Sequence, residues 1–141
     1  MNILIVDDNP DDRRVLRYVV EQHGHRVLEA QNGVEGLQQA RGSPPDLIVS
    51  DALMPVMDGF QFLRAVKQEA RLRSIPFIFY SSSYREDQDV RLALSLGADA
   101  YLVKPLEPPA LWERIEGLLR AGRKGEAPSL PLIQEDAEYL R

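Results

Sequence analysis

The sequence predicts an α/β fold, a parallel sheet covered by helices on both faces. Short apolar, β-branched runs alternate with longer amphipathic stretches, the pattern of βαβ units. The runs themselves, Ile3-Leu4-Ile5-Val6 and Leu47-Ile48-Val49 among them, are apolar throughout, as in strands buried on both sides. Turn and cap residues punctuate each change of pattern.

Strands are expected at roughly 2–6, 26–30, 46–50, 76–80 and 100–103, and helices at roughly 10–23, 33–41, 58–69, 85–96 and 108–121. Asn9 then Pro10 reads as an N-cap with proline at the first helical position, and Asp11 and Asp12 complement the helix dipole. Val15, Val19 and Val20 are expected to face the sheet, with Arg13, Arg14 and Arg17 in water; Gly24 ends this helix near His23. Asn32-Gly33 opens the second helix, and Gly42-Ser43-Pro44-Pro45 closes its connection. Asp58-Gly59 opens the third, with Phe62, Leu63 and Val66 as its apolar stripe. Gly97 ends the fourth. Pro108 and Pro109 fit only the first turn of the fifth, ahead of Leu111, Ile115 and Leu118 at helical spacing.

From roughly residue 122 to residue 141 the alternation is lost. Gly122 to Ser129 has linker composition, and Leu130-Pro131-Leu132-Ile133 with the residues after it reads as the start of a further helix. Either the chain is cut from a longer protein or this is a natural disordered end.

With 141 residues there is room for one full core and not for two ordinary domains. No apolar run approaches the ~18 residues of a membrane span, and Met1-Asn2 leads directly into a strand, so no cleavable signal is expected. The absence of cysteine excludes disulfides and thiolate metal sites and is compatible with a reducing compartment. A net charge of −5 argues against general nucleic-acid binding, and an acidic cytoplasmic protein is expected.

Chemistry concentrates at one predicted end of the sheet. Asp7 and Asp8 follow the first strand, Asp51 the third, Ser81 the fourth and Lys104-Pro105 the fifth. In an open parallel sheet, ligands bind outside the carboxyl ends of the strands, where the strand order reverses. Such an acid cluster can hold a hard divalent cation and present one carboxylate as a nucleophile. Singly, each residue has an ordinary explanation: an acidic pair after a strand is a common helix start, and Lys-Pro a common turn. The joint pattern carries the weight.

The chain resembles the receiver domain of two-component response regulators over about residues 1–121. The matching segments are Ile5-Val6-Asp7-Asp8-Asn9, Asp51 to Gly59, Ile75 to Ser81, and Gly97 to Pro105. The resemblance implies a flavodoxin-like (βα)5 fold with strand order 2-1-3-4-5. It implies that Asp51 accepts a phosphoryl group from a phosphohistidine on a sensor histidine kinase or histidine phosphotransfer protein. Mg²⁺ would be bound by Asp8, Asp51 and the backbone carbonyl of Leu53, with Asp7 acting through a water. Lys104 and Ser81 would meet the phosphoryl oxygens. Tyr101 would swing from solvent into the protein as the hydroxyl moves, changing the face made by the fourth helix, fifth strand and fifth helix. That face could then serve a homodimer, a partner or a downstream output domain. Trp112 lies on it or is an anchor without a partner. The Lys104-Pro105 bond is often cis in the family.

Three positions depart from the family's common pattern. Ser81 stands where threonine is usual, Ser82 where alanine is frequent, and Leu53 is apolar where many members are polar. The apolar Leu53 side chain is expected to hinder an attacking water and slow self-dephosphorylation. On this reading the chain is a phosphoacceptor that assists its own chemistry, not a conventional enzyme. An unphosphorylated pseudo-receiver is the alternative, opposed by the intact Asp7, Asp8, Asp51, Ser81 and Lys104. An aspartyl phosphatase would usually place an acid where Leu53 stands. A flavin carrier would place its phosphate against Asp7-Asp8-Asn9-Pro10, which repels it. No DNA-binding helix-turn-helix fits the residues after the receiver segment, and no membrane association is expected.

Overall fold

The continuous β-branched runs do form the centre of the molecule. The computed structural model describes residues 1–84, 86–123 and 132–133. In chain order the elements are β1 (Asn2–Val6), α1 (Pro10–Gln22), β2 (Arg26–Ala30), α2 (Gly33–Gly42), β3 (Leu47–Ser50), α3 (Gly59–Lys67), β4 (Phe77–Ser81), α4 (Asp87–Ser95), β5 (Ala100–Val103), α5 (Pro108–Arg123) and β6 (Leu132–Ile133). The sheet order is β2-β1-β3-β4-β5-β6. Its first five strands are parallel in the expected flavodoxin-like order. The chain leaves β1 for β2 on one side and then returns to β3 on the other, so the topological switch lies between β1 and β3.

Strand geometry sends alternate side chains to opposite faces, and both faces are buried. Leu4, Val6, Ile48, Phe77, Phe79 and Tyr101 pack with Phe62, Leu63 and Val66 of α3 and with Val90 and Ala93 of α4. Ile3, Ile5, Leu47, Val49, Ile78 and Leu102 pack on the other face with α1 and α5. A fully buried residue of the size of Phe62 or Ile78 contributes roughly 1.5–3 kcal/mol relative to leaving it exposed.

Caps fix where the helices begin. The Asn9 side chain accepts hydrogen bonds from the backbone N–H groups of Asp11 and Asp12, and Asn32 accepts from Glu35. Asp58 and Gln61 form a reciprocal capping box at α3. Gly24 and Gly97, just past α1 and α4, take the left-handed conformations expected of glycines there. The Lys104-Pro105 bond is cis, as expected.

Four expectations need correction. On α1, Val15 points outward and is 57% exposed; Leu16 takes the place beside Val19 and Val20, because the i, i+3, i+4 stripe begins one residue later. Arg13 is not simply in water: its guanidinium reaches the Asp7 carbonyl and Glu29. Trp112 is neither on the α4–β5–α5 face nor without a partner. It stacks on His23, with ring centroids 4.2 Å apart, and meets His25 at 5.2 Å, bridging α5 to the end of α1. At the C-terminal end, α5 continues to Arg123, and Leu132–Ile133 is a strand rather than the start of a helix. It pairs in parallel with β5, Ala100 opposite Leu132 and Tyr101 opposite Ile133. The rest of the expected helix, residues 134–141, lies outside the described residues.

Candidate functional site

Each chemistry-bearing residue is held where a strand runs out. Asp7 follows β1 and its N–H donates to the Ala30 carbonyl at 3.1 Å; Asp51 follows β3 and donates to the Val6 carbonyl at 2.8 Å. The ladder thus continues one residue past each strand, fixing both backbones across the switch point. Lys104 follows β5, and its N–H donates to the carbonyl of Ser81, the last residue of β4, at 3.0 Å.

The side chains converge. The two oxygens of Asp51 are unequally engaged. Oδ1 accepts from the N–H groups of Ala52 (2.6 Å) and Leu53 (3.3 Å) and from the Ser81 hydroxyl (2.5 Å). Oδ2 accepts from Lys104 Nζ at 3.3 Å. The Lys104 ammonium also donates to Asp7 Oδ2 at 2.7 Å and Asp12 Oδ2 at 2.9 Å. Asp7 Oδ1 accepts from the Asn9 N–H at 2.9 Å. Asp7 is buried, Asp51 partly so, and Asp8 exposed. All the residues expected here from the strand ends, Asp7, Asp8, Asp51, Ser81 and Lys104, border one cleft of about 620 Å³ or bond directly to residues that do.

Asp12 was legible only as a helix-dipole acid, yet it supplies a third carboxylate to Lys104. Its position in the first turn of a helix that starts at the ligand end of β1 is the signal that could have placed it there.

Electrostatics follow from burial against pairing. Burial alone would push the Lys104 ammonium toward its neutral form. The bonds to Asp7 and Asp12 and the charge of Asp51 outweigh it and hold the ammonium charged, well above its ordinary range. Burial raises the Asp7 carboxyl above the usual carboxylate range, with Lys104 and the Asn9 N–H pulling against it.

The donor set suits a hard cation. Asp7, Asp8 and Asp51 each offer one carboxylate oxygen, all within 4.8 Å of one another. An all-oxygen, anionic set of this kind is what Mg²⁺ takes alongside retained waters.

From the hydroxyl the contacts run outward. Ser81 Oγ accepts from the Ser83 N–H at 3.1 Å, and the Tyr101 hydroxyl donates to the Ser83 carbonyl at 2.5 Å. The backbone of Ser83 is therefore held on both sides, at its N–H by the residue touching Asp51 and at its carbonyl by Tyr101. Tyr101 is fully buried. Tyr84, directly after Ser83, has φ 56 and packs edge-on against Phe60, ring centroids 5.4 Å apart. Val56, in the loop after Asp51, has φ 70 and is 80% exposed. For a β-branched residue that conformation costs of order 1–3 kcal/mol and marks a loop held by its surroundings. Here the Met57 carbonyl accepts the Gly33 N–H at 3.0 Å, tying the loop to the start of α2. No helix among the described residues is long and apolar enough to cross a membrane.

Comparison with known proteins agrees with this geometry. The family model described as "Response regulator receiver domain" matches residues 3–116. Protein PilH of Pseudomonas aeruginosa is 38% identical over 117 residues, which are 83% of this chain and 96% of PilH. The phosphate regulon transcriptional regulatory protein PhoB of Escherichia coli is 35% identical over 118 residues, 84% of this chain but 51% of PhoB, so this chain spans about half of that relative. Among solved structures, the signal receiver domain of a signal transduction histidine kinase from Syntrophus aciditrophicus superposes with a TM-score of 0.80 at 34% identity, covering 93% of this chain and 98% of that one. The chemotaxis response regulator CheY4 of Vibrio cholerae gives 0.78 at 29% identity, covering 83% and 97%. Fold, convergent acidic cleft and family match coincide, and the chain belongs to the receiver domains of two-component response regulators.

Proposed function

We propose that Asp51 accepts a phosphoryl group from a phosphohistidine on a sensor histidine kinase or histidine phosphotransfer protein. The observation that carries this reading is the unequal engagement of its carboxylate. Oδ1 is fixed by three donors, while among the described residues Oδ2 meets only the Lys104 ammonium, at 3.3 Å, beside the cleft. Oδ2 attacks phosphorus, the P–N bond of the donor breaks, and the imidazole leaves to take up a proton; the product is an acyl phosphate on Asp51. Lys104 pairs with a phosphoryl oxygen, and the Ser81 hydroxyl turns from Oδ1 toward another. Phosphoryl transfer asks mainly for placement and charge neutralisation, and these donors provide both.

Asp8, Asp51 and the Leu53 carbonyl would hold Mg²⁺, with Asp7, whose oxygens already accept from Asn9 and Lys104, acting through a water. When bound, the ion offsets the repulsion between the aspartates and the incoming phosphoryl oxygens.

The switch runs through Ser83. A Ser81 hydroxyl drawn to the phosphoryl group loosens its hold on the Ser83 N–H, and the Ser83 carbonyl is the acceptor of Tyr101. Repositioning the Ser83 backbone alters the α4–β5–α5 face, which addresses a partner, a second copy or a downstream output domain. Turning a 1:99 equilibrium into 99:1 needs about 5.5 kcal/mol of differential stabilisation, of which a few charge-assisted hydrogen bonds supply part. Residues 1–121 form the signalling unit, acting in the cytoplasm, and a segment of linker composition follows it.

The test is intact mass after incubation with acetyl phosphate. Wild type gains the mass of one phosphoryl group with Mg²⁺ and not with chelator, and Asp51→Asn gains none. Labelling of Asp51→Asn at the wild-type rate would overturn the assignment, and a wild type that never labels would favour the pseudo-receiver.

A further inference from the structure

Lys104 has three ammonium protons, and three carboxylates take them. The distances are 2.7 Å to Asp7, 2.9 Å to Asp12 and 3.3 Å to Asp51. The two shorter contacts lie on the β1–α1 side, so the ammonium is drawn toward that side and away from Asp51. Of the three acceptors, Asp12 is the one that can leave: its side chain is 45% exposed, against 5% for Asp7 and 13% for Asp51. Its neighbour Asp11 sits in the same helical turn, is 81% exposed and pairs with Arg14 instead.

We propose that Asp12 is a positioning residue that restrains phosphorylation, by holding the Lys104 ammonium on the α1 side and competing with the phosphoryl group for it. The proposal rests on the reading of Asp51 as the phosphoryl acceptor. A phosphoryl oxygen can bond Lys104 only if a carboxylate gives up its proton. Asp12 also adds a negative charge beside a cleft that must admit another anion. Both effects have one sign, so removing the Asp12 charge favours the phosphorylated form. The carboxylate acts through Lys104 and touches no reacting atom.

The experiment follows phosphoryl incorporation from acetyl phosphate with Mg²⁺ by intact mass, in the full chain. Asp12→Asn raises the initial rate and the steady-state occupancy about two- to fivefold, the range carried by a partly exposed charge pair. Asp12→Glu, which restores the carboxylate, returns both toward wild type. Asp11→Asn, which removes the same charge one residue away, leaves both unchanged. In a Lys104→Met background, Asp12→Asn loses most of its effect, because the competition has no object; this double-mutant cycle isolates the pair. Should Lys104→Met not fold, the contrast among Asp12→Asn, Asp12→Glu and Asp11→Asn decides the matter. An Asp12→Asn chain no faster than wild type overturns the proposal, as does an equal gain in Asp11→Asn, which would reduce the effect to bulk charge. A wild type that takes no phosphoryl group sinks the acceptor reading and this proposal with it; wild-type labelling with an inert Asp12→Asn sinks this proposal alone.

Discussion

Gly59 packs directly on the backbone of Asp51: a Cβ at Gly59 would overlap the Asp51 carbonyl oxygen and press on the Phe79 ring and the Ala52 backbone. Its N–H donates to the Ala52 carbonyl at 2.9 Å, so α3 starts against the segment that carries the Asp51 carboxylate. Gly59→Ala must push that segment aside. Overpacking of this kind typically costs about 1–3 kcal/mol, and because the atoms met are mainly backbone the upper end is expected. Urea unfolding would show the loss, and acetyl phosphate labelling of the folded fraction would fall. A Gly59→Ala protein of wild-type stability and labelling would mean that the loop yields freely.

Leu53 is half-exposed at the mouth of the cleft, where, on the proposed reading, its side chain can shield a phosphoryl group on Asp51 from water. Leu53→Asn replaces that shield with a group able to orient a water. The phosphorylated protein is expected to lose its phosphoryl group about three- to tenfold faster, a barrier lowered by about 0.7–1.4 kcal/mol. The decay of the phosphorylated mass after removal of acetyl phosphate measures it. A half-life as long as that of the parent counts against the shielding role.

Tyr101→Phe removes only the hydroxyl that holds the Ser83 carbonyl. The expected cost is about 1 kcal/mol, the usual net worth of one such bond. The informative readout is amide hydrogen exchange, which should quicken at Ser83 and Tyr84 while the β4 amides keep their protection. Unchanged exchange in that loop would remove Tyr101 from the line of contacts leading out from Ser81.

Glu29 gives the pH dependence. Burial alone would push its carboxyl up, but hydrogen bonds from Arg17 and Arg13 outweigh it and hold the folded value below the ordinary 4.5. A depressed folded value means stability that is fully present above about 4.5 and is lost as pH falls through the folded value. Wild type should therefore be more stable than Glu29→Gln at neutral pH, and the gap should close on acidification below 4.5. Denaturant unfolding at a series of pH values tests this, and a gap that stays constant on acidification would exclude the linkage.

The strands, the helices and the five strand-end residues were legible because each rests on local chemistry: β-branched runs, Asn9, Asn32 and Asp58 as caps, and glycines after helices; the strand order came only through the resemblance to receiver domains. What escaped depends on tertiary placement. Val15 and Leu16 are both apolar neighbours on α1, and one residue of helical phase decides which is buried. Trp112 could have faced either side of α5; its partner His23 belongs to a helix end far away in sequence. Asp12 meets Lys104 across 92 residues, and an acid in a first helical turn gives no hint of that on its own. The pair Leu132–Ile133 is too short to show a period at all.

That pair has a consequence for assembly. With β6 paired to Ala100 and Tyr101, the first half of the outer rim of β5 is taken by residues 132–133 of the same chain. Another protein seeking to add a strand to β5 must evict an occupant that is covalently tethered and so present at an effective concentration that reaches the millimolar range for short linkers. Self-association by strand exchange is thereby set against an intramolecular rival, and shortening the chain before Leu132 would hand that rim to any newcomer.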